Sequence, residues 1–442
     1  MTWPLAAALG LALWGGVAAA GPLDLTADQM RAFGSEALAR GYADQALAVA
    51  ETLLQRDPDD SLALTLKAQA LRVRGELDAS EAAARAAWAR ADSDAARYGA
   101  ATALAQALSL QDQRTSAQYW LRQAVQNAPN AGTRAQAVQD FNYVRAQNPL
   151  SLQITSAVQP SDNVNGGTRI SSFDLGGVTF PVPGNLGALS GLTWSLGMHG
   201  SYKLAASPSG VTRLTFGATQ QGVALSKDAR ALAPAARNDD YALTHLALGV
   251  ERRSFSAAGQ WTWTAEAARN WYAGAALSNS VEAGMALERP LGQGSVSYGA
   301  TLARQVRLDR PQSSSTDLDL NAETTQDGPL GDQWTASLSL ARTWSGDDRV
   351  DHAEAGLGLG WQARHPVAGV TLGANLGLKG AVYDGSGRKD GRWTAGLTAS
   401  FDKASYLGFA PVLSVTVAQN NSNYLLYTTR TFGLGVSIRS RF

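Results

Sequence analysis

In the second half of the chain, apolar side chains recur at every second position, in runs too long for an ordinary soluble sheet. In the run at 391–403, Trp393, Leu397 and Phe401 share one face, and Thr394 lies on the other. A period of two is that of a β-strand with one apolar and one polar face. Soluble strands are about 5–6 residues long, whereas a tilted strand that crosses a bilayer needs about 9–11. The pattern therefore favours membrane-spanning strands.

Fourteen such runs fill the chain from residue 150 onward. They lie at about 150–158, 191–205, 209–222, 240–252, 254–270, 278–288, 293–308, 315–325, 332–345, 350–364, 367–382, 391–403, 409–420 and 429–442. An even count is the bacterial norm for transmembrane barrels. Gaps after odd-numbered runs, such as 159–190 and 223–239, are often longer than those after even-numbered runs. Long loops at one end and short turns at the other are typical of such a barrel, whereas a sandwich would show no such parity.

Aromatic residues recur at a spacing that suits the two edges of a membrane. Trp393 and Phe401 lie on one face of their run, and Trp334 and Trp344 do so on another. Eight residues of a tilted strand span about 20 Å, close to the distance between two aromatic girdles. Cross-strand packing in a soluble barrel would place the same residues, and this alternative stays open. The sequence predicts a transmembrane antiparallel β-barrel of about 14 strands over residues 149–442.

The chain ends on "TFGLGVSIRSRF", which we interpret as the last strand. Five apolar residues of this ending are expected to face lipid: Phe432, Leu434, Val436, Ile438 and Phe442. Arg439 and Arg441 would then face the lumen near the periplasmic rim. A strand that ends on an aromatic residue resembles the signal read by the barrel-assembly machinery, which is therefore an expected partner. The last strand would close on the first and leave no free edge.

Residues 22–148 differ in composition, because Ala, Leu, Gln and Arg dominate and the periodicity is helical. Small residues repeat at intervals near 34, as Gly41 and Gly75 do, and Pro149 marks the change to strands. The segment resembles tetratricopeptide (TPR) repeats, and three units are about the minimum for a stable stack. A plain helical bundle is the alternative. By analogy, the first helix of each unit would line a client-binding groove with six polar residues: Arg31, Ser35, Thr65, Gln69, Thr102 and Gln106. These side chains could equally be solvated.

The first twenty residues are apolar and close on Ala18, Ala19 and Ala20, so residues 1–20 are predicted to be a secretory signal peptide. A membrane anchor is the alternative. No later run reaches the roughly 18 apolar residues of a spanning helix. The chain has no cysteine, which excludes disulfides and thiolate chemistry. With 37 basic and 37 acidic residues, it has no charge excess that would favour nucleic acid as a partner.

No catalytic or metal-binding motif is found, so we expect neither enzyme activity nor a cofactor or metal. The four histidines are scattered and lack metal-ligand spacing, and neither a P-loop nor a nucleophile elbow occurs. One strand carries polar residues on the expected lumen face: Asp317, Asp319, Asn321 and Glu323. They could guide a client or an ion, or simply line the lumen and pair with nearby arginines. Paired carboxylates can hydrolyse glycosides, but no sequence feature positions a substrate.

A signal peptide, a TPR segment and a barrel of about fourteen strands together resemble the surface lipoprotein assembly modulator (Slam) family of outer-membrane proteins. The segment "NPLSLQITSAVQPSDNVNGGTR" is similar to the start of that family's barrel domain, where an N-x-N motif follows the first strand. Four residues would carry the motif: Asn163, Asn165, Gly166 and Gly167. The resemblance implies an α+β multidomain protein of the outer membrane whose TPR domain lies in the periplasm.

The resemblance also implies a function. Members of the family move specific lipoproteins or secreted proteins from the periplasm to the cell surface. The TPR segment would engage the client, and the barrel would provide either a lumen or a lateral opening between its first and last strands. Expected partners are the client, outer-membrane lipids and the assembly machinery. The alternatives are an exopolysaccharide export porin with a periplasmic TPR domain, or a passive porin.

Overall fold

The computed structural model describes residues 25–175 and 178–442, so the predicted signal peptide lies outside the described residues. Among these residues, seven helices precede the first strand: α1 (Ala27–Ala39), α2 (Ala43–Arg56), α3 (Ser61–Val73), α4 (Leu77–Arg90), α5 (Asp94–Leu110), α6 (Arg114–Gln126) and α7 (Ala131–Gln147). None of the described helices is both long enough and apolar enough to span a bilayer.

Three helix hairpins, α1–α2, α3–α4 and α5–α6, are built on the same turn. Gly41, Gly75 and Asp112 have positive φ angles of 84°, 83° and 60°. In each hairpin the residue that follows donates its backbone N–H to the carbonyl five residues earlier, as Tyr42 does to Ala37. This hydrogen bond is typical of a helix that ends in a Schellman motif. Because the same turn recurs along the chain, the predicted helical repeats are confirmed.

Small residues fill the core of these hairpins. Ala46, Ala50 and Ala84 are completely buried. A Cβ atom on Gly34 would lie only 2.5 Å from the Leu66 side chain, so α1 and α3 approach closely there. The buried hydroxyl of Ser80 donates to the Ala68 carbonyl at 2.7 Å and joins α4 to α3. Side chains of this size set the short distance between helix axes.

Fourteen strands form a closed barrel in which each strand pairs with its sequence neighbours and the last pairs with the first. The barrel strands are β1 (Leu150–Ser161), β4 (Gly191–Ser207), β5 (Gly210–Leu225), β6 (Leu243–Ser256), β7 (Gly259–Tyr272), β8 (Ala275–Leu291), β9 (Gly294–Arg307), β10 (Ser315–Asp327), β11 (Gln333–Ser345), β12 (His352–Gln362), β13 (Val370–Tyr383), β14 (Arg388–Phe401), β15 (Phe409–Ser422) and β16 (Thr429–Ser440). A separate hairpin of β2 (Ser172–Leu175) and β3 (Val178–Pro181) lies between β1 and β4. The predicted antiparallel barrel is therefore confirmed, and each predicted run corresponds to one strand.

The outer surface of the barrel is apolar. Leu338, Leu357 and Leu378 form a row across three neighbouring strands and are 47%, 59% and 49% exposed. Water would disfavour a contiguous surface of this kind, whereas the hydrocarbon core of a membrane accommodates it. Trp334 and Trp344 lie near the two ends of β11 and are also exposed, at 50% and 44%. Their exposure agrees with aromatic girdles rather than with packing inside a soluble barrel.

The two ends of the barrel differ in their connections. We call the end where β1 begins and β16 finishes the helix end, and the opposite end the loop end. Turns at the helix end include 208–209, 257–258 and 292–293, whereas 162–190 and 226–242 are long connections at the loop end. The long connections pack together around Leu189, and 226–242 contains a short helix, α8 (Lys227–Leu232). The predicted parity holds only in part, because the helix-end connections 363–369 and 402–408 are longer than the loop-end turns 273–274 and 384–387.

Residue contacts divide the chain into two compact units. One runs as far as Trp120 and includes Asn127–Pro129; the other comprises Leu121–Gln126 and Asn130–Phe442. The second unit thus contains the barrel together with α7 and the end of α6. The predicted boundary between residues 148 and 149 coincides with the change from helix to strand, but the compact units divide within α6. The division into domains at residues 22–148 and 149–442 therefore stays a prediction.

Candidate functional site

The lumen of the barrel is lined by polar and small side chains, as the alternation of the strands requires. On β12, Gly356, Gly358 and Gly360 face inward, opposite Ser339, Ser337 and Thr335 of β11. These glycines have no side chain to fill the interior, and two of them lie against serine hydroxyls. The wall formed by β11 and β12 therefore leaves room inside the barrel, as a conduit for a hydrophilic substance requires.

Acidic side chains gather on one wall of the lumen. Glu266 of β7 and Glu282 of β8 are direct cross-strand partners. Two strands further on, β10 contributes Asp317, Asp319, Asn321 and Glu323, which share the inward face. Asp317 accepts hydrogen bonds from the hydroxyls of Thr343 and Ser315, at 2.6 and 2.8 Å. In the described part of the chain, Asp317, Asp319 and Glu323 form no ion pair with an arginine, whereas Asp327 at the end of β10 pairs with Arg364 at 3.0 Å.

Basic side chains occupy the facing wall. Arg392 of β14 lies opposite Lys379 of β13, and Lys379 forms an ion pair with Glu354 at 2.7 Å. Around the ring of fourteen strands, β14 and β7 are seven steps apart by either arc, so Arg392 and Glu266 belong to opposite walls. Because Glu354 offsets Lys379 and Asp390 pairs with Arg388, the net positive charge of the basic wall is small, and the acids of the opposite wall dominate the field across the lumen. A polypeptide with both charge signs could contact both walls.

Near the loop end, the lumen contains a cavity that lies against this basic wall. The cavity has a volume of about 280 Å³ and is lined by Glu354, Lys379, Arg392 and Tyr427, among others. Beside it, the buried guanidinium of Arg388 lies between the rings of Tyr383 and Tyr427, 3.4 and 3.9 Å from their centroids. Two cation–π contacts hold the last loop of the barrel against the lumen wall.

The N-x-N motif joins the first strand of the barrel to the last. The Asn163 amide donates to the carbonyls of Gly167 and of Arg430 at 2.9 and 3.0 Å, and its oxygen accepts from the Gly167 N–H. Asn165 instead bonds within the first loop, to the Gly187 carbonyl and the Leu189 N–H. Gly166 has a positive φ of 65°, which allows the chain to turn between these bonds. The motif therefore fastens the loop end of the seam between β1 and β16.

Phe442 does not face lipid, so this part of the expected ending is wrong. β16 ends at Ser440, and the Phe442 ring packs edge-on against Phe141 of α7, with the centroids 5.1 Å apart. The other four residues of the ending are outward and exposed: Phe432 46%, Leu434 42%, Val436 53% and Ile438 45%. Their alternation does not extend to Phe442, because the last two residues leave the strand. The assembly-signal role of all five stays a prediction.

Arg122 of α6 fastens the carboxyl-terminal end of the chain, and the sequence did not indicate this role. Its guanidinium donates to the Leu407 carbonyl, the Ser440 hydroxyl and the Phe442 carbonyl at 2.9, 2.9 and 3.0 Å. It also lies over the Phe141, Phe409 and Phe442 rings, at 4.7, 4.5 and 4.9 Å. Burial, with a smaller effect of the nearby Arg145, lowers the pKa of Arg122 to about 10, so it stays charged at neutral pH.

The six predicted groove residues do not share one environment. Ser35 is exposed, Gln69 and Gln106 are half-buried, and Arg31 forms an ion pair with Asp60 at 2.7 Å. Thr65 is buried and its hydroxyl donates to the Ser61 carbonyl of its own helix, at 2.9 Å. The Thr102 hydroxyl is buried and has no hydrogen-bond partner. The expectation that Thr65 and Thr102 present free polar groups to a client is therefore wrong, because helix packing covers them.

Histidine and carboxylate side chains are not assembled into a metal site within the described residues. His245 Nδ1 lies 2.8 Å from the Asn270 side-chain oxygen, and His352 Nδ1 lies 2.7 Å from the Val350 carbonyl. His365 lies in the turn between β12 and β13.

Comparison with known proteins finds likeness only to solved structures, since no protein-family model and no curated protein matches the chain. A bacterial polysaccharide outer membrane secretin is 10% identical, with 65% of this chain and 98% of that one covered and a TM-score of 0.35. An anion-selective porin from Comamonas acidovorans is 13% identical over 66% and 99% of the two chains, with a TM-score of 0.31. The TPR2B domain of yeast Sti1 is 20% identical over 27% and 96%, with a TM-score of 0.25. These scores are too low to support a functional argument.

Proposed function

We propose that this protein is an outer-membrane translocon of the surface lipoprotein assembly modulator type, which delivers specific lipoproteins or secreted proteins to the cell surface. In this proposal the helical repeats lie in the periplasm and engage the client, and the barrel provides the route. The observation that carries it is one chain that joins three helix hairpins of repeat type to a closed barrel with a polar lumen. Stacked helical repeats are typically protein-binding, and a passive solute pore has no need of them.

The side chains of the lumen suit a hydrophilic macromolecule as the transported substance. Glu266 and Glu282 lie on one wall, and Lys379 and Arg392 lie on the opposite wall. A folded or extended polypeptide carries both charge signs, whereas a neutral polysaccharide would gain little from the field of these charges. Of the predicted groove residues, Arg31, Ser35, Gln69 and Gln106 stay candidates for contacts with the client.

The fastening of α6 and α7 to the barrel determines how the proposal should be tested. A deletion of all residues from 22 to 148 would remove Arg122 and Phe141, which bind the end of the chain. We therefore choose a shorter deletion, residues 25–112, which removes the first two hairpins and α5 and keeps α6 and α7. Heat-modifiable migration on semi-native gels controls for barrel assembly.

The expected result is the loss of one or a few proteins from the surface proteome, while the shortened barrel still assembles in the outer membrane. Loss of a secreted polymer with an unchanged surface proteome would instead support polysaccharide export. A normal surface proteome and normal polymer, with solute uptake that depends on the barrel alone, would support a passive porin. Either of these last two results contradicts the proposed function.

A further inference from the structure

The seam that closes the barrel is paired along only part of its length. β1 pairs with β4 at every residue from Leu150 to Ser161, but only three of its residues have register partners on β16: Ala157 with Ser437, Val158 with Val436 and Ser161 with Gly433. Continuing the register of Ala157 with Ser437 would pair Ser156 with Ile438. Among the residues that the structure describes, none from Leu150 to Ser156 has a register partner on β16. The helix-end half of β1 is therefore a free strand edge.

The end of β16 is bonded away from β1. The Arg441 N–H donates to the Gly408 carbonyl at 2.8 Å, and the Arg441 guanidinium donates to the Asp402 carbonyl at 3.2 Å. Both acceptors belong to the connection between β14 and β15. Arg122 binds the Leu407 carbonyl of the same connection together with the Phe442 carbonyl. These bonds hold the last residues on the β15 side, where they do not reach the free edge.

The loop-end half of the seam is closed by several bonds. The Gln159 side chain reaches over Gly433 of β16 and donates to the Thr416 hydroxyl of β15 at 2.9 Å. The Phe432 N–H donates to the Asp162 carboxylate at 2.6 Å, and Asn163 donates to the Arg430 carbonyl. The seam thus has a fastened half and an open half, so separation of the strands would begin at the helix end.

The free edge has the side-chain pattern of a strand at a membrane. Leu152 and Ile154 point outward and are 47% and 60% exposed, and the intervening Gln153 and Thr155 point into the lumen and are also exposed. In a strand paired on one side only, about half of the backbone N–H and C=O groups point to the open side. Lipid cannot satisfy these groups, so leaving them unpaired in hydrocarbon is strongly unfavourable. Another strand satisfies all of them.

We propose that the edge Leu150–Ser156 is the binding site for an extended segment of the exported protein, which adds to β1 as a strand. This inference rests on the proposed function, because that function places a polypeptide in the lumen beside the edge. Main-chain hydrogen bonds would supply affinity, and the alternating faces would supply selectivity. The segment would carry apolar side chains beside Leu152 and Ile154, and polar ones beside Gln153 and Thr155.

A disulfide lock tests the need for the edge, and the chain has no cysteine of its own to interfere. The double variant Ser156→Cys with Ile438→Cys would join the open half at the next position of the register. The matched control, Val158→Cys with Val436→Cys, joins two residues that are already partners. Under oxidising conditions we expect the first lock to abolish surface delivery, reduction to restore it, and the control to deliver normally in both states. Normal delivery through the oxidised Ser156–Ile438 lock overturns the inference.

Photocrosslinking identifies the occupant even if the lock does not form. A benzophenone amino acid at Ile154 should yield an adduct with the exported protein, and the same group at Leu338, an outward position far from the seam, should not. An adduct between two copies of this chain, or no protein adduct at Ile154, overturns the inference. If the deletion of residues 25–112 leaves the surface proteome unchanged, the proposed function itself fails. If the deletion removes a client from the surface but Ile154 gives no adduct, the inference about the β1 edge fails and the proposed function stands.

Discussion

Individual residues decide how the barrel is fastened, and the sequence indicated only some of them. Asn163 and Asn165 were singled out only because their N-x-N pattern resembles the start of the Slam barrel domain. Which amide crosses the seam depends on the register of β16, which no local pattern contains. Phe442 was placed on the lipid face by counting alternate positions, but α7 offers Phe141 as a closer partner. Arg122 was missed because an arginine in a helix carries no local sign of acceptors that are 285 to 320 residues away in the sequence.

Replacing Asn163 with Asp should weaken the seam. The change removes both donated bonds and sets a negative charge against the carbonyls of Gly167 and Arg430. Each buried hydrogen bond lost in this way costs about 1–3 kcal/mol, so the temperature at which the barrel unfolds on semi-native gels should fall. Asn165→Asp is the matched control, since its bonds stay within the first loop. Equal unfolding temperatures for the two variants would contradict the role assigned to Asn163.

A loop carboxylate provides a pH-dependent contact. Asp347, between β11 and β12, accepts hydrogen bonds from Arg349 and Ser313, and these bonds hold its pKa below the usual 3.8. Because the folded pKa is lowered, the contribution to stability is fully present above pH 3.8 and is lost as the pH falls through the folded value. Pepsin should therefore cleave this loop faster as the pH is lowered below 3.8. In Asp347→Asn that acceleration should be absent; an unchanged pH profile in the variant would refute the assignment.

The helices and strands could be predicted from the sequence more completely than the contacts of individual residues. Strand runs of period two are long and recur fourteen times, so all fourteen strands could be predicted. The helical repeats were visible from glycines at the turns, as at Gly41 and Gly75. The third turn was not, because Asp112 stands where the first two have glycine. The prediction that Thr65 lines the groove was wrong, because a repeat pattern shows which helix a residue belongs to but not which neighbour covers it.

A glycine in place of Asp112 should stabilise the turn of the third hairpin. Asp112 has a φ of 60°, in the left-handed region that disfavours residues with a Cβ. Asp112→Gly should therefore raise the stability of the helices by up to about 1 kcal/mol, partly offset by loss of its ion pair with Arg114. Gly75→Val, at a φ of 83°, should lower it by more than that. The melting of the helical signal in circular dichroism of the full protein measures both. A lower melting temperature for Asp112→Gly would contradict this account of the turn.

The whole molecule combines a lumen with facing charged walls, a seam fastened only at its loop end, and helices bound to the end of the last strand. Composition and periodicity could predict the barrel and the helices. They could not predict the division of the seam, which depends on how far two strands 280 residues apart in the sequence stay in register. The function proposed here follows from that combination rather than from any one motif.

The most direct measurement asks whether a polypeptide occupies the lumen during export. A photocrosslinking residue is placed at Asp319, which points inward on β10, and in a second variant at Leu320, its outward neighbour. We expect Asp319 to yield an adduct with the same exported protein that disappears from the surface in the 25–112 deletion, and Leu320 to yield none. An assembled barrel with no polypeptide adduct at Asp319 would contradict the proposed route.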